Sequence, residues 1–593
     1  MSEGPGGARP RPVPAPILLL LLLWLLPGPP PGAAEAAGER RLRITVNGVE
    51  GELEQNIMAF LGIAYLDGLP VQDDPRLRYL HTTATREIRT ALEPFGYYAA
   101  IVESRLERRA DSIEAIYDVS PGEPVSVTEV DLRITGEGRE EPAFGEIVAA
   151  PGIAAGETLR HDRYSSLRGR IDEAAARFGF PEGRFQLSRL EVDPQARSAR
   201  VRLHFDTGPR YRVGAVRISQ DVLSPKLVDR YVGIEPGDPY DSDELLRLQS
   251  TLLGSDYFQT VLMSADDPDP ETRTIPLDIT LEPRLRHRYG LGLGYATDTG
   301  PRVRFTFENR LVNRRGHRYN SLLLLSNTRN QVGFSYRVPG TRPATDQYLY
   351  NLSYTDESTD SKDTEYFSMV AAYQRQTSVW QTTNSLELRQ ERFTIGEDTT
   401  LSSLLVPGTS WTHVQADDRF RTRRGYSLTL ALRGAVDGLL SDTSFLQGRV
   451  NGKYVHGLSE RQRLLLRGDV GSTWVEDFGR LPSSFRFFTG GDQSVRGYGY
   501  EDIAPRDSTG AVVGGRSLIV GSLEYEYQVR GPWSVAAFVD VGDAFNDEPT
   551  AHVGAGFGLR WQSPVGPVRV DIAHGFDQEG SAVQLHLTIG PDL

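Results

Sequence analysis

Residues 289–295 read Tyr-Gly-Leu-Gly-Leu-Gly-Tyr. Every second position is apolar or aromatic, which is the period of two that belongs to a β-strand. The pattern recurs through the carboxy-terminal half. Val303, Phe305 and Phe307 alternate with Arg302, Arg304 and Thr306, and Tyr348, Tyr350, Leu352 and Tyr354 alternate with Leu349, Asn351 and Ser353. Leu428, Leu430 and Leu432 alternate with Thr429, Ala431 and Arg433, and Val568, Val570 and Ile572 with Arg569 and Asp571. Polar loops rich in Asp, Ser, Thr and Gly separate these runs. One apolar and one charged face per strand is the signature of a transmembrane barrel, with lipid outside and a wet lumen inside. A soluble β-sandwich is the alternative, and arginines at every second position argue against it. Residues 285–593 leave about 19 residues for each of sixteen strands and its connection, enough for the roughly 9–11 that a tilted strand needs to span a bilayer. Tyr348, Tyr373, Trp380, Tyr454 and Trp474 near segment ends suit interfacial aromatic girdles.

Upstream the grammar changes to a weak threefold repeat. A helix-like segment ends at Phe95-Gly96-Tyr97, another at Phe178-Gly179-Phe180 and a third near Asp256-Tyr257-Phe258. Each is followed by two alternating segments and a turn, at Pro121-Gly122, Gly208-Pro209 and Glu282-Pro283. Ile88, Leu92 and Phe95 share one helical face, as do Leu167, Ile171, Ala174 and Phe178, and Leu245, Leu248 and Leu252. Thr83 and Asp241 are expected N-caps, the latter with Glu244 three residues on. Val201, Leu203 and Phe205 oppose Arg200, Arg202 and His204 along a strand. Each unit therefore reads as strand, two helices and a strand pair, with helices on one sheet face. The units run 40–122, 123–209 and 210–284. An open sheet edge in such a unit can accept a further strand, or the units can serve as spacers.

The first forty residues read as an address. Arg9 and Arg11 precede an apolar run from Ile17 to Leu26, then prolines and Ala33-Ala34-Glu35-Ala36-Ala37. Ten apolar residues are too few to span a bilayer as a helix, so 1–37 is expected to be a secretory signal peptide rather than an anchor. The 593 residues carry 79 acidic and 65 basic side chains, a net charge of −14, which excludes a general nucleic-acid binder. The absence of cysteine excludes disulfide scaffolds and thiol chemistry. A mean hydropathy of −0.37 excludes a polytopic helical membrane protein. No phosphate loop, Gly-x-Ser-x-Gly nucleophile turn or histidine cluster with metal spacing occurs, so neither an enzyme nor a cofactor is expected. Gly554, Gly556 and Gly558 fall at every second residue, a strand face with small side chains rather than a dinucleotide loop. Asp266-Asp267-Pro268-Asp269 reads as a solvated turn before it reads as a cation site.

The most specific phrase is Arg486-Phe-Phe-Thr-Gly-Gly-Asp-Gln-Ser-Val-Arg-Gly-Tyr498, between predicted strands. A guanidinium at Arg496 on a loop folded into a barrel must be paired or hydrated. Asp540 and Glu524, each flanked by outward-type residues, point to the lumen, where a bidentate contact would pin the loop to the wall. Gly497 permits a tight turn and Tyr498 can pack its tip. An ordinary extracellular loop with a solvated arginine is the alternative.

These words resemble the Omp85 superfamily. Val495-Arg496-Gly497-Tyr498 matches its Val-Arg-Gly-aromatic motif, Phe538-Val-Asp540-Val-Gly542 its Phe-x-Asp-x-Gly pattern, and Ser522-Leu-Glu524 a third pattern one strand earlier. The resemblance implies α+β amino-terminal domains of the POTRA type, here three, followed by an all-β, 16-stranded antiparallel transmembrane barrel over 285–593. It implies an outer-membrane location with the amino-terminal domains in the periplasm. It further implies non-enzymatic insertion or translocation of β-barrel and autotransporter clients through a seam between the first and last strands. Here the seam falls on Tyr289, Gly290, Gly292 and Gly294, and on Val583, Leu585, Leu587 and Ile589. The glycines fit either a weak seam or tight barrel curvature. Three POTRA-like units and the Gly590-Pro591-Asp592-Leu593 ending most resemble the TamA-type branch of the family. That branch implies a long periplasmic partner anchored in the inner membrane, TamB, besides unfolded clients and outer-membrane lipid. A passive channel, a secretion pore for one partner, and a lipid-transport component are the alternatives. The terminal Leu593 departs from the terminal aromatic common in barrel assembly signals.

Overall fold

The computed structural model describes residues 40–71, 75–296, 300–359, 362–395, 398–418, 421–563, 566–577 and 583–589. The expected leader at 1–37, the terminal residues 590–593 and the side chain of Ile589 lie outside the described residues. The chain divides into two compact units. Of the described residues, one holds those up to Thr135, Glu141–Ile171 and Phe185–Asp206, and the other holds Gly136–Glu140, Asp172–Arg184 and those from Thr207.

In the first unit, β1 (Arg40–Asn47), α1 (Glu52–Phe60), β2 (Pro70–Val71), α2 (Pro75–Leu92), β3 (Ile101–Arg108) and β4 (Ser112–Ser120) form one small domain. Its sheet runs β2-β1-β4-β3, with β1 parallel to β4. Leu42, Ile113 and Tyr117 on the sheet pack against Ile57, Leu77, Ile88 and Leu92 on the helices. The buried residues of α2 recur at helical spacing, and that stripe makes the helix cover the sheet. Thr83 is no cap: α2 begins at Pro75, whose fixed φ suits a first turn, and the Thr83 hydroxyl donates to the Leu80 carbonyl at 3.0 Å. Phe95 leaves the α-helix for the 3₁₀ turn Glu93–Phe95.

A second sheet is built from β5 (Ser126–Thr135), β6 (Arg184–Asp193) and β7 (Ser198–Asp206), in the order β5-β7-β6 with β5 parallel to β7. Between β5 and β6 the chain forms α3 (Pro142–Ala149) and α4 (His161–Arg177). Phe205 on the sheet meets Phe185 edge-on at 4.9 Å and Phe144 of α3 at 6.2 Å between ring centroids.

The second unit contains a third sheet domain: β8 (Arg212–Ser219), α5 (Pro225–Val232), α6 (Ser242–Gly254), β9 (Phe258–Ala265) and β10 (Thr274–Pro283). The sheet order is β8-β10-β9. Asp241 caps α6, its carboxylate accepting from the Asp243 amide at 2.8 Å. Asp269 caps its own turn, accepting from the Glu271 amide at 2.9 Å, and among the described residues no cluster of three or more ligating side chains could hold a metal ion.

The rest of the chain is a single antiparallel sheet of sixteen strands in sequence order. Its first half comprises β11 (His287–Ala296), β12 (Gly300–Asn309), β13 (Arg318–Ser326), β14 (Arg329–Pro339), β15 (Asp346–Ser358), β16 (Asp363–Gln376), β17 (Gln381–Ile395) and β18 (Asp398–Ala416). Its second half comprises β19 (Arg424–Ala435), β20 (Phe445–Gly457), β21 (Gln462–Val475), β22 (Ser517–Arg530), β23 (Trp533–Phe545), β24 (His552–Ser563), β25 (Gly566–Gly575) and β26 (Val583–Ile589). Leu291, Leu293, Phe305, Val539 and Phe557 are exposed on the outer face, while Glu391, Asp540 and Asp571 are buried on the inner one. That inversion of the soluble-protein rule is what a lipid surroundings and a polar lumen require. Tyr348 pairs with Tyr373 across strands, ring centroids 5.2 Å apart. Among the described residues no ladder joins β11 to β26, so the barrel is nearly but not fully closed by backbone pairing.

The third domain is fastened to the first turns of the barrel. Leu311, in the β12–β13 turn, belongs to the core formed by Leu227, Leu248, Tyr257 and Leu281. The Tyr257 hydroxyl donates to the Gly316 carbonyl at 2.5 Å, and the Arg318 guanidinium lies 4.2 Å over the Tyr257 ring. Arg230 donates to the Gly340 carbonyl at 2.9 Å.

Candidate functional site

The connection between β21 and β22, residues 476–516, folds back against the inner wall of the barrel. Its stem is held first. Glu391 on β17 accepts from the Ser483 hydroxyl at 3.0 Å and the Ser484 amide at 3.1 Å. Phe485 is buried among Leu404, Phe445 and Val475, under the Arg433 guanidinium at 4.2 Å. Farther along, Lys362 at the β15–β16 turn is buried between Glu357 and Glu501, and its ammonium lies 4.8 Å from the Phe488 ring centroid.

At the loop's far end Arg496 is 3 % exposed, so its charge has to be met by protein. Its Nε donates to Asp540 at 2.7 Å and its Nη2 to the other Asp540 oxygen at 3.0 Å, a bidentate fork. Its Nη1 donates to Glu524 at 2.7 Å and to Asp571 at 3.0 Å, and its backbone amide to Asp540 at 3.2 Å. One side chain thus joins β22, β23 and β25. Phe538 lies beneath, its ring centroid 3.4 Å from the guanidinium carbon. Arg560 on β24 shares the same acids, donating to Glu524 at 2.8 Å and to Asp571. Arg467 on β21 reaches Asp540 at 3.4 Å and the carbonyl of Gln493 at 3.0 Å. Three carboxylates facing three guanidiniums keep this buried cluster close to neutral.

The wall is shaped to receive the loop backbone. Gly497 has φ of +93°, and a side chain there would come within 2.6 Å of the Gly575 nitrogen. A Cβ on Gly554 would lie 1.9 Å from the Arg496 carbonyl oxygen, one on Gly556 would meet the Phe538 ring at 2.7 Å, and one on Gly558 would overlap the Asp571 carboxylate. The alternating glycines of β24 make room in turn for the loop, the ring and the acid. A Cβ on Gly542 would press on the Ile519 carbonyl at 2.8 Å and the Val495 side chain at 3.1 Å. Val495 is fully buried with Tyr498 and Ile503. The Tyr498 hydroxyl donates to the Val553 carbonyl at 3.0 Å. A cavity of about 490 Å³ lies beside the loop, lined among others by Arg449, Lys453, Arg467, Asp469 and Glu501.

Val495, Arg496, Gly497, Tyr498, Glu524, Phe538, Asp540 and Gly542 are therefore brought together in one place. Asp571, Arg560 and Arg467 belong to the same cluster, and the motifs did not single them out. Asp571 stood in the alternating run Val568–Ile572 as an inward residue, so its face was legible but its partner was not. The seam side chains named from the sequence take no part in these ion pairs. Gly290, Gly292 and Gly294 stand opposite Thr306, Arg304 and Arg302 on β12, where Cβ atoms on Gly290 and Gly294 would crowd the Thr306 and Arg302 side chains. Tyr289, Leu291 and Leu293 are exposed on the outer face of β11, and Val583 and Leu585 on that of β26, where Leu587 follows in the same alternation.

Comparison with known proteins agrees with this architecture. Residues 285–592 match the Omp85 superfamily domain, residues 43–121 the POTRA domain TamA domain 1, and residues 211–284 a POTRA domain described as surface antigen variable number repeat. The outer membrane protein assembly factor BamA of Nitratidesulfovibrio vulgaris is 31% identical over 144 residues, which cover 23% of this chain and 18% of that protein. The chloroplastic outer envelope protein 80 of Arabidopsis thaliana is 32% identical over 125 residues, covering 19% and 15% respectively. The matched stretches thus span less than a fifth of either relative's length. BamA from Haemophilus ducreyi lacking POTRA domains 1–3 superposes with a TM-score of 0.55 at 14% identity, covering 93% of this chain and 99% of that one, a likeness of fold. With the superfamily domain matched over more than half its length, a sixteen-stranded barrel behind three POTRA-like domains, and Arg496 seated on Asp540, the chain belongs to the Omp85 superfamily as an outer-membrane protein with periplasmic amino-terminal domains.

Proposed function

We propose that this protein inserts or translocates outer-membrane client proteins, without enzymatic chemistry, and that residues 476–516 form a latch set by Arg496 and held by Asp540 and Glu524. The carrying observation is the loop itself: an element pinned to the lumen wall by buried ion pairs, in a barrel whose first and last strands share no ladder among the described residues. Pairing energy missing from that seam is available to a client strand, which can hydrogen-bond to an open edge and pass sideways into lipid. The open sheet edges of the amino-terminal domains would receive clients before the barrel does. The TamA-type match over residues 43–121 favours a TamB-like inner-membrane-anchored partner and autotransporter-like clients. A passive channel is the poorer reading, because the inward loop occupies the lumen between β17 and β25.

The test is quantitative outer-membrane proteomics after depletion of the protein, with rescue by wild type or by Arg496→Ala. A set of barrel proteins should fall on depletion and return with wild type but not with the arginine variant at equal protein level. An unchanged barrel proteome would refute insertion and turn attention to lipid transport.

A further inference from the structure

Among the described residues the last strand, β26, has one hydrogen-bonded strand partner, and β11 lies alongside it without a ladder. Its ladder to β25 runs from Val568↔Ile589 to His574↔Val583, and its other edge carries no ladder among the described residues. Its unladdered edge draws its polar support from the lumen side. His586 lies in the middle of this strand, between the outward Leu585 and Leu587, and is 1 % exposed. Its Nε2 accepts from the Gly497 backbone amide at 2.9 Å. An amide N–H can only donate, so Nε2 carries the lone pair and Nδ1 the proton. Nδ1 in turn faces the Asp492 carboxylate within hydrogen-bond reach, where it donates. Both partners belong to the loop, four residues before and one after Arg496.

The loop is at the same time bound to the rest of the wall. Arg496 ties it to β22, β23 and β25, and its backbone at Gly497 lies directly on Gly575 of β25. We infer that His586 is a positioning residue through which the inward loop, rather than a hydrogen-bonded ladder to β11, holds the last strand at the seam. Loop release and loosening of β26 are then one event. By the reciprocity of coupled equilibria, a client that displaces β26 also loosens the loop. In the sequence the glycines of β11 fitted a weak seam or tight barrel curvature equally; the histidine gives the seam a specific catch. The role of this catch in insertion rests on the function proposed above, whereas its existence does not.

The chain has no cysteine, so labels can be placed cleanly. The full-length protein carrying Leu291→Cys and Leu585→Cys, both exposed on the outer face, would be spin-labelled in lipid nanodiscs and the β11–β26 distance distribution measured. A single narrow distribution is expected. Adding His586→Ala should broaden it and shift it to longer distance. His586→Gln, whose amide offers one acceptor and one donor, should restore it, as mere filling of space would not. If His586→Ala fails to fold, Asp492→Ala removes one of the two bonds and should broaden the distribution partially. An unchanged distribution in the folded variant, or broadening that His586→Gln leaves equal to alanine, overturns the inference. A broadened seam with normal client assembly supports the catch and refutes instead the use of the seam in insertion.

Discussion

Replacing Arg496 by alanine tests the physics of the latch most directly. Removing one member of a buried ion pair costs about 3–5 kcal/mol, because the remaining charge stays buried without its partner. The geometry favours the lower half of that range. Arg560 still bonds Glu524 and Asp571, and Arg467 still stands 3.4 Å from Asp540, so none of the three carboxylates is left without a cation. Losing the cation–π contact with Phe538 adds about 1 kcal/mol. A total cost of about 4–5 kcal/mol to loop docking raises the open population about 700- to 4,000-fold, at 1.4 kcal/mol per factor of ten. The assay is hydrogen exchange of peptides covering 490–500 in nanodiscs. The Arg496 and Gly497 amides, bonded to Asp540 and His586, report opening directly. Arg496→Lys should recover less than half of the protection, since an ammonium cannot grip Asp540 through two bonds while reaching Glu524. Acceleration below about tenfold in an intact barrel would refute the claim that this cluster holds the loop.

Gly554→Ala should accelerate exchange of the same peptides, because its Cβ would lie 1.9 Å from the Arg496 carbonyl; Gly448→Ala, with no atom within 4 Å, is the silent control. Tyr257→Phe keeps the ring beneath Arg318 but leaves the Gly316 carbonyl without its donor, and should cost about 1–3 kcal/mol, read as faster exchange in the β12–β13 turn. Burial holds the His81 imidazole, 2.9 Å from the Tyr117 hydroxyl, below its ordinary value of 6.5. A lowered folded-state pKa contributes stability that is present above that ordinary value and is lost as pH falls below it. Protection of residues 40–122 should therefore drop between pH of about 7.5 and about 5.5, and His81→Gln should flatten that drop.

Some of this was legible in the chain because strands and helices stamp their period on side-chain polarity. The run Tyr289–Tyr295 fixes which face of β11 meets lipid, and the buried residues of α2 fall on the helical stripe through Ile88 and Leu92. The inward direction of Asp540 and Glu524 follows from the same alternation, and the motif words around Arg496 named its partners. Local capping was less legible. Thr83 had the chemistry of a cap, yet α2 starts at Pro75, because packing of Leu77 into the core extends the helix past a local signal.

What the sequence determined by itself was the order of domains, the strand period and the charge that must be buried at Arg496, all of which are properties of neighbours along the chain. What only the tertiary structure decided is which distant residues complete that charge. Asp571, Arg560 and Arg467 reach the cluster from separate strands, and His586 reaches Gly497 across 89 positions. Alternation says that such a side chain points inward. It does not say what it meets there, because register, barrel closure and the path of a folded-in loop are set by contacts between residues remote in sequence.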